Sequence, residues 1–264
     1  GNYFMKKTLI ALAVAASAVV SGSAMAAGWE QNGTGGSVDL GGTLTPVTKA
    51  TPWEVKVGDA VTGLDGQVQK GQKEISISVK NAIPVLGIRN ADENGFKGQE
   101  GIKPQIDYRG AVNIDGFKNG TTTVYMEVRN ESGENIGSLE APFYAAAALT
   151  YKNGNGMGSK LIAASDSTGS FFGGLGKNTS AIMSSGGYER LESMYPELVG
   201  KFTVASWKEA VVNEGFTNTA VDYWGVYGGG IEKGQTIKIT LAQAASGDAP
   251  IKWKAALPVT VTYM

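Results

Sequence analysis

The 264-residue chain contains no cysteine and no histidine. Without cysteine there is no disulfide and no thiol nucleophile, so the fold is held by apolar burial and backbone pairing alone. Without histidine there is no Ser-His triad, and with both residues gone nearly all common zinc and copper sites are gone too. Most enzyme classes are excluded with them, and neither a metal nor a cofactor is expected. Charge is also scarce, at 18% of residues with a net charge of −1. That balance offers no basic surface for nucleic acid or anionic lipid. No apolar run reaches the roughly 20 residues that a membrane-spanning helix requires.

What the chain does have, in abundance, is glycine and alternation. Lys6-Lys7, the apolar run Leu9 to Val20 and the small-residue site Ala24-Met25-Ala26 read as a secretory leader over residues 5–26, opening at Met5. Its removal takes away two lysines and leaves a mature chain of about −3 charge. Soon after it, Ser37 to Thr45 alternates, with Val38, Leu40, Gly42 and Leu44 on one side and Ser37, Asp39, Gly41 and Thr43 on the other. Gly-rich sequence precedes this strand and Pro46 follows it, so it is free to pair outside its own domain.

Further alternating strands are predicted at Lys73 to Lys80 (Ile75, Ile77, Val79), Thr122 to Arg129 (Val124, Met126, Val128) and Thr236 to Gln243 (Ile237, Ile239, Leu241). A last one runs from Leu257 to Tyr263. Asp65-Gly66, Asn94-Gly95, Asp115-Gly116 and Asn119-Gly120 punctuate them as turns. Short strands at such intervals predict an all-β antiparallel sandwich. Between about residues 153 and 224 the pattern changes to a small helical insertion. There Tyr188, Leu191, Tyr195 and Leu198 share one helix face, Pro196 breaks that helix, and Ser206-x-x-Glu209 opens a second helix over Trp207 to Asn213.

Taken in order, the leader, Gly36-Ser37-Val38-Asp39-Leu40-Gly41-Gly42, Trp53-Glu54-Val55-Lys56-Val57-Gly58, Gly234-Gln235-Thr236-Ile237 and Val259-Thr260-Val261-Thr262-Tyr263 carry a joint signal. The chain resembles chaperone-usher fimbrial subunits, and among them the self-adhesive major subunits of the kappa-class fimbriae of enterotoxigenic enteric bacteria. The resemblance implies an incomplete immunoglobulin-like sandwich over residues 46–264, completed by a donor strand from the 27–45 extension of the next identical subunit. It assigns Val38, Leu40, Gly42 and Leu44 as the inserting residues. It also implies a periplasmic chaperone that covers the open edge before assembly, gripping the C-terminal strand at Leu257, Val259, Val261 and Tyr263, together with an outer-membrane usher. The chain departs from the pattern in ending on Met264 and in placing Pro258 within the terminal alternation.

The aromatics of the second half point to a surface role. Sugar sites pair an aromatic platform with amide and carboxylate groups. Tyr151, Asn153, Asn155, Phe171, Phe172, Trp207 and Trp224 are the candidate residues for a host glycolipid or glycoprotein glycan, against the plainer reading that the rings anchor the insertion. Gly173-Gly174-Leu175-Gly176-Lys177 lacks the spacing of a phosphate loop, and Asn90, Asp92, Asn94 and Gly95 lack the twelfth-position carboxylate of a calcium loop. Glu189, Glu192, Glu197 and Glu209 have the spacing of a solvated face rather than of a glycosidase pair. Three functions are compatible with these residues: an adhesive shaft subunit, a purely structural shaft subunit with adhesion by a tip protein, and an outer-membrane barrel. The insertion disfavours the barrel.

Overall fold

The computed structural model describes residues 31–32, 40–44 and 50–264. The chain divides into Gly1–Thr48 and Lys49–Met264. The expected leader and Val38 lie outside the described residues. Within the first unit, Leu40 to Leu44 make no strand pairing, and Leu40 and Leu44 are almost wholly exposed.

In the second unit the alternating segments become strands: β1 (Trp53–Val57), β2 (Glu74–Ser78), β3 (Ile83–Asn90), β4 (Phe96–Lys97), β5 (Pro104–Asp107), β6 (Thr121–Arg129) and β7 (Asn135–Asn153). They continue with β8 (Gly156–Ala163), the helix α1 (Gly187–Met194), β9 (Val211–Val212), β10 (Asp222–Ile231), β11 (Thr236–Leu241) and β12 (Thr260–Tyr263). The large sheet runs β1-β3-β10-β7-β11-β2, with β4 beside β10, β6 and β8 beside β7, and β9 beside β8; β5 and β12 form a separate pair. Every pairing is antiparallel except β8 with β9. The result is an open, mostly β sandwich with few helices, as the alternation predicts.

The 19-residue β7 organises this sheet. Its first half pairs with β6 on one side and β11 on the other, and its second half with β8 and β10. At Asn119-Gly120 both residues have positive φ, 50° and 74°. That is the type I′ geometry that matches strand twist, and Lys118 and Thr121 exchange both backbone hydrogen bonds across it.

Each face of the sheet carries its own core. On one face Ile75, Ile77, Val124, Val128, Ile237, Ile239 and Leu241 are buried with Leu86, Ile88 and Phe143. On the other, Tyr188, Leu191 and Met194 of α1, with Leu198, Val199 and Phe202, pack over Tyr144, Ala146, Ala148, Leu161 and Val226. β7 and β10 are therefore covered on both faces, which explains why Ala145 to Ala148 and Gly228 to Gly230 do not alternate. Small side chains let the helical layer approach. A Cβ on Gly87 would stand 2.8 Å from Leu198 Cδ1, and one on Gly228 would collide with Leu191 and Leu198. Gly228→Val is expected to cost about 1–3 kcal/mol by overpacking, read as a lowered thermal midpoint in circular dichroism.

As expected, α1 stops before Pro196, which starts a 3₁₀ turn, Pro196–Lys201, where its missing N–H is no loss. The second expected helix is absent. Residues 206–212 run along the outer edge of β8: Ser159 N–H donates to Ser206 O at 3.0 Å, Lys208 N–H to Ser159 O at 2.8 Å and, at the bend that follows, Asn213 N–H to Ala163 O at 2.9 Å. An unfilled strand edge beside the β-branched pair Val211-Val212 outweighs a capping motif on a helix of barely two turns. The segment between residues 153 and 224 is thus part sheet, holding β8, β9 and the start of β10, and part helical layer.

Candidate functional site: an open groove beside the C-terminal segment

From Ile251 to Met264 the chain is extended and its side chains alternate. Trp253, Ala255, Leu257, Val259, Val261 and Tyr263 point to the core and are only half-buried, while Lys252, Lys254, Ala256, Pro258, Thr260 and Thr262 are exposed. The backbone alternates in step. Lys254 exchanges two hydrogen bonds with Arg129 at 2.9 Å, and Met264 exchanges two with Lys103 at 3.1 Å. Successive residues of a strand direct their backbone groups to opposite edges, so the inward residues aim theirs away from β5 and β6. No backbone hydrogen bond reaches Trp253, Ala255, Leu257 or Val259 among the described residues. One apolar row and one unpaired backbone edge coincide along the same segment.

That edge borders a groove of about 1870 Å³. Ile75 and Ile77 of β2, Val124 of β6, Leu139 and Phe143 of β7 and Ile237 of β11 line it, so it opens directly onto the first core. Another wall is formed by residues of the 58–68 segment, which forms no strand. This wall is tied down at its ends, by Gly58 N–H to Val85 O at 2.9 Å and Gly71 N–H to Ala245 O at 2.7 Å. Between them Leu64 and Val68 press on the core, and Gly66 lies close against Ile75 and Ile77. Neither wall has its full complement of backbone partners, and an apolar strip this long would aggregate if left bare. Chemically the groove suits an extended peptide with apolar residues at every second position. No regular alternation marks residues 58–68 in the sequence, so this wall had no signal to find it by.

The candidate sugar-binding residues do not form one site. Phe171 has no exposed surface: it stacks on Tyr227 at 5.5 Å and meets Trp53 edge-on at 5.7 Å, with φ of 62°. Trp224 is buried and its indole N–H donates to Glu93 O at 2.8 Å. Rings so enclosed have no face left for a ligand, and these two leave the candidate set as anchors of the surrounding loops. Phe172 is half-buried against the same core, and its carbonyl accepts the Ile106 N–H. Tyr151 also packs on the first core, with the Lys160 ammonium 5.5 Å above its ring. Asn153 and Asn155 are at the exposed tip between β7 and β8, where Asn153 Oδ1 accepts the Asn155 N–H at 2.9 Å. Trp207 is 38% exposed on the outer strip and meets Tyr188, on the helix-covered face. Trp207 and Tyr151 therefore belong to opposite faces of the sheet.

The other motifs are structural. A Cβ on Gly173 would collide with Ile106 O, Leu175 is buried, and Lys177 pairs with Asp115. Asn90 is buried and its amide donates to Asp92 O at 2.7 Å and Lys201 O at 2.9 Å, while Asp92 accepts the Asn94 N–H. The Asp92 carboxyl is held below its usual range by those Asn94 bonds, a turn's signature rather than an ion's. The Tyr108 and Tyr227 hydroxyls meet at 2.9 Å in the core, and burial raises both phenols. No group of acidic ligands able to hold a metal occurs among the described residues.

An open-edged β sandwich with a groove opening onto its apolar core suits a subunit that assembles with others. The family of fimbrial major and minor subunits matches residues 5–264, and the chain belongs to that family, whose members are structural proteins and not enzymes. It is 31% identical to K88 fimbrial protein AB of Escherichia coli, over 98% of this chain and 100% of that one. K88 fimbrial protein AD of the same organism is 31% identical over the same shares. The F41 fimbrial protein of Escherichia coli is 29% identical, again over 98% of this chain and 100% of that protein.

Proposed function

We propose that this fimbrial subunit polymerises by donor-strand complementation, and that the 27–45 extension of one subunit enters the groove of the next. The observation that carries the proposal is the coincidence along Trp253 to Tyr263 of a half-buried apolar row with an unpaired backbone edge. Val38, Leu40 and Leu44 supply apolar groups at the required period of two, and Gly42 lets the backbone approach closely. Before assembly a periplasmic chaperone holds the C-terminal segment at Leu257, Val259, Val261 and Tyr263 beside the groove, and an outer-membrane usher passes the subunit to the fibre. A leader over residues 5–26 directs export.

The chain's lack of cysteine makes the test clean. Leu40→Cys is combined with a cysteine at Trp253, Ala255 or Leu257, and fibres are oxidised. At least one pairing is expected to bring Cα atoms within the roughly 7 Å that a disulfide tolerates and to give a covalent ladder in non-reducing gels. Ladders absent from all three pairings would sink the proposal.

The same fibre is proposed to bind host glycans through the exposed part of the insertion, with Asn153, Asn155 and Trp207 as the groups that remain at its surface. Weak sites repeated on every subunit gain by avidity. Trp207→Ala in assembled fibres is expected to lower glycan-array binding at least tenfold. Binding unchanged both in that variant and in Asn153→Ala/Asn155→Ala would favour the purely structural shaft subunit.

A further inference from the structure

We propose that Asp39 of an incoming subunit pairs with Lys254 of the subunit it enters, and that this pair fixes the register of the joint; the inference rests on the donor-strand reading above. A strand slipped by one residue would turn its apolar row outward, so parity is enforced by the core itself. A slip of two residues keeps parity, and the apolar row from Trp253 to Tyr263, six inward residues long with Trp253, Ala255 and Leu257 lining the groove, offers several such positions to the four alternating residues from Val38 to Leu44. The sizes of the side chains on both strands, Gly42 among them, favour some of these positions, and a contact outside the row discriminates further.

Charge supplies the discrimination. Asp39 is the only charged side chain between Glu30 and Lys49, and Lys252 and Lys254 are the only ones after Asp248. With Val38 and Leu40 inward, Asp39 is on the outer face of the donor. Lys254 is on the outer face of the groove's edge segment, because Trp253 and Ala255 beside it point inward. Two strands adjacent in one sheet share that outer face. Lys252 is engaged by Glu131 at 3.1 Å, whereas the Lys254 ammonium has no ion-pair partner among the described residues, although its backbone is fastened to Arg129. Pairing Asp39 with Lys254 places Val38 and Leu40 against Trp253 and Ala255 for either strand polarity. The other outward positions toward the C-terminus, Ala256, Pro258, Thr260 and Thr262, offer a displaced Asp39 no cation.

The test compares growth of fibres from the full-length chain carrying Asp39→Lys, Lys254→Asp or both. At low ionic strength each single change sets like charges across the joint and is expected to slow assembly about fivefold, while the double variant returns to within about twofold of wild type. The differences should shrink in ~0.5 M salt, as exposed charges are screened there. A lysine that only deterred stray edge pairing would keep that effect as an aspartate and would not predict rescue. A double variant no faster than the slower single overturns the pair, as does rescue of Asp39→Lys by Lys252→Asp instead. Leu40→Asp runs alongside: if it blocks fibres while all charge variants match wild type, the pair alone fails. If fibres grow unchanged in every variant, the donor-strand reading fails and the pair with it.

Discussion

A chain lacking residues 27–45 is expected to form no fibres, and Leu40→Asp to come close to the same result. Val38, Leu40 and Leu44 each contribute roughly 1.5–3 kcal/mol when buried, and each donor backbone hydrogen bond adds about 0.5–1.5 kcal/mol net. Deleting the strand removes the whole sum from every joint, and a fibre of many joints does not survive that loss. The aspartate acts differently, by carrying a charge into an apolar slot where no cation waits. Both changes fall outside the 50–264 region and its groove, so binding of the proposed chaperone is expected to persist. Electron microscopy of cells expressing the complete assembly system, with pull-down of the chaperone complex, checks both halves. Fibres at wild-type density from the shortened chain would refute the mechanism.

The second large effect runs in the opposite direction. Fusing Ser37 to Thr45 after Met264 through a flexible linker is expected to raise the thermal midpoint of the subunit by about 10 °C or more, given roughly 2–4 °C per kcal/mol for a domain of this size. The linker turns an intermolecular association into an intramolecular one at millimolar effective concentration. The half-buried row from Trp253 to Tyr263 gains its missing layer, and the fused chain is expected to run as a monomer in gel filtration. Coincident midpoints for the fused and unfused forms would mean that the sandwich was already complete.

Periodicity made much of this fold legible. β2, β6 and β11 stand where alternation places them because each has one face on a core and one in water, the condition under which a period of two is written into a sequence. The region around β7 and β10 was harder to read. Both strands are buried on both sides, so Ala145 to Ala148 and Gly228 to Gly230 carry no alternation. The capping motif at Ser206 failed because local preference yielded to the open edge of β8. For the C-terminal segment, the row Leu257, Val259, Val261 and Tyr263 was visible, of which Leu257 lines the groove, but the wall at residues 58–68 was not. That wall owes its place to the ends that fasten it and to Leu64 and Val68, not to any pattern of its own. Aromatic residues misled in the same way: nothing in composition separates Trp207, which keeps an exposed edge, from Phe171 and Trp224, which close a core.

The long strand β7 has a mechanical consequence. Its first half contributes Leu139 and Phe143 to the floor of the groove, and its second half supports the helical layer and ends in the exposed tip at Asn153. On the donor-strand and glycan-binding readings proposed above, a pull entering through a neighbour's strand and leaving through a ligand near that tip would travel along one unbroken polypeptide. Antiparallel partners flank it on both sides, so their hydrogen bonds are loaded together in shear rather than unzipped one at a time. No linker or domain hinge interrupts β7 between Asn135 and Asn153, so a subunit loaded along it is expected to act as a stiff element and a fibre to yield first at its joints.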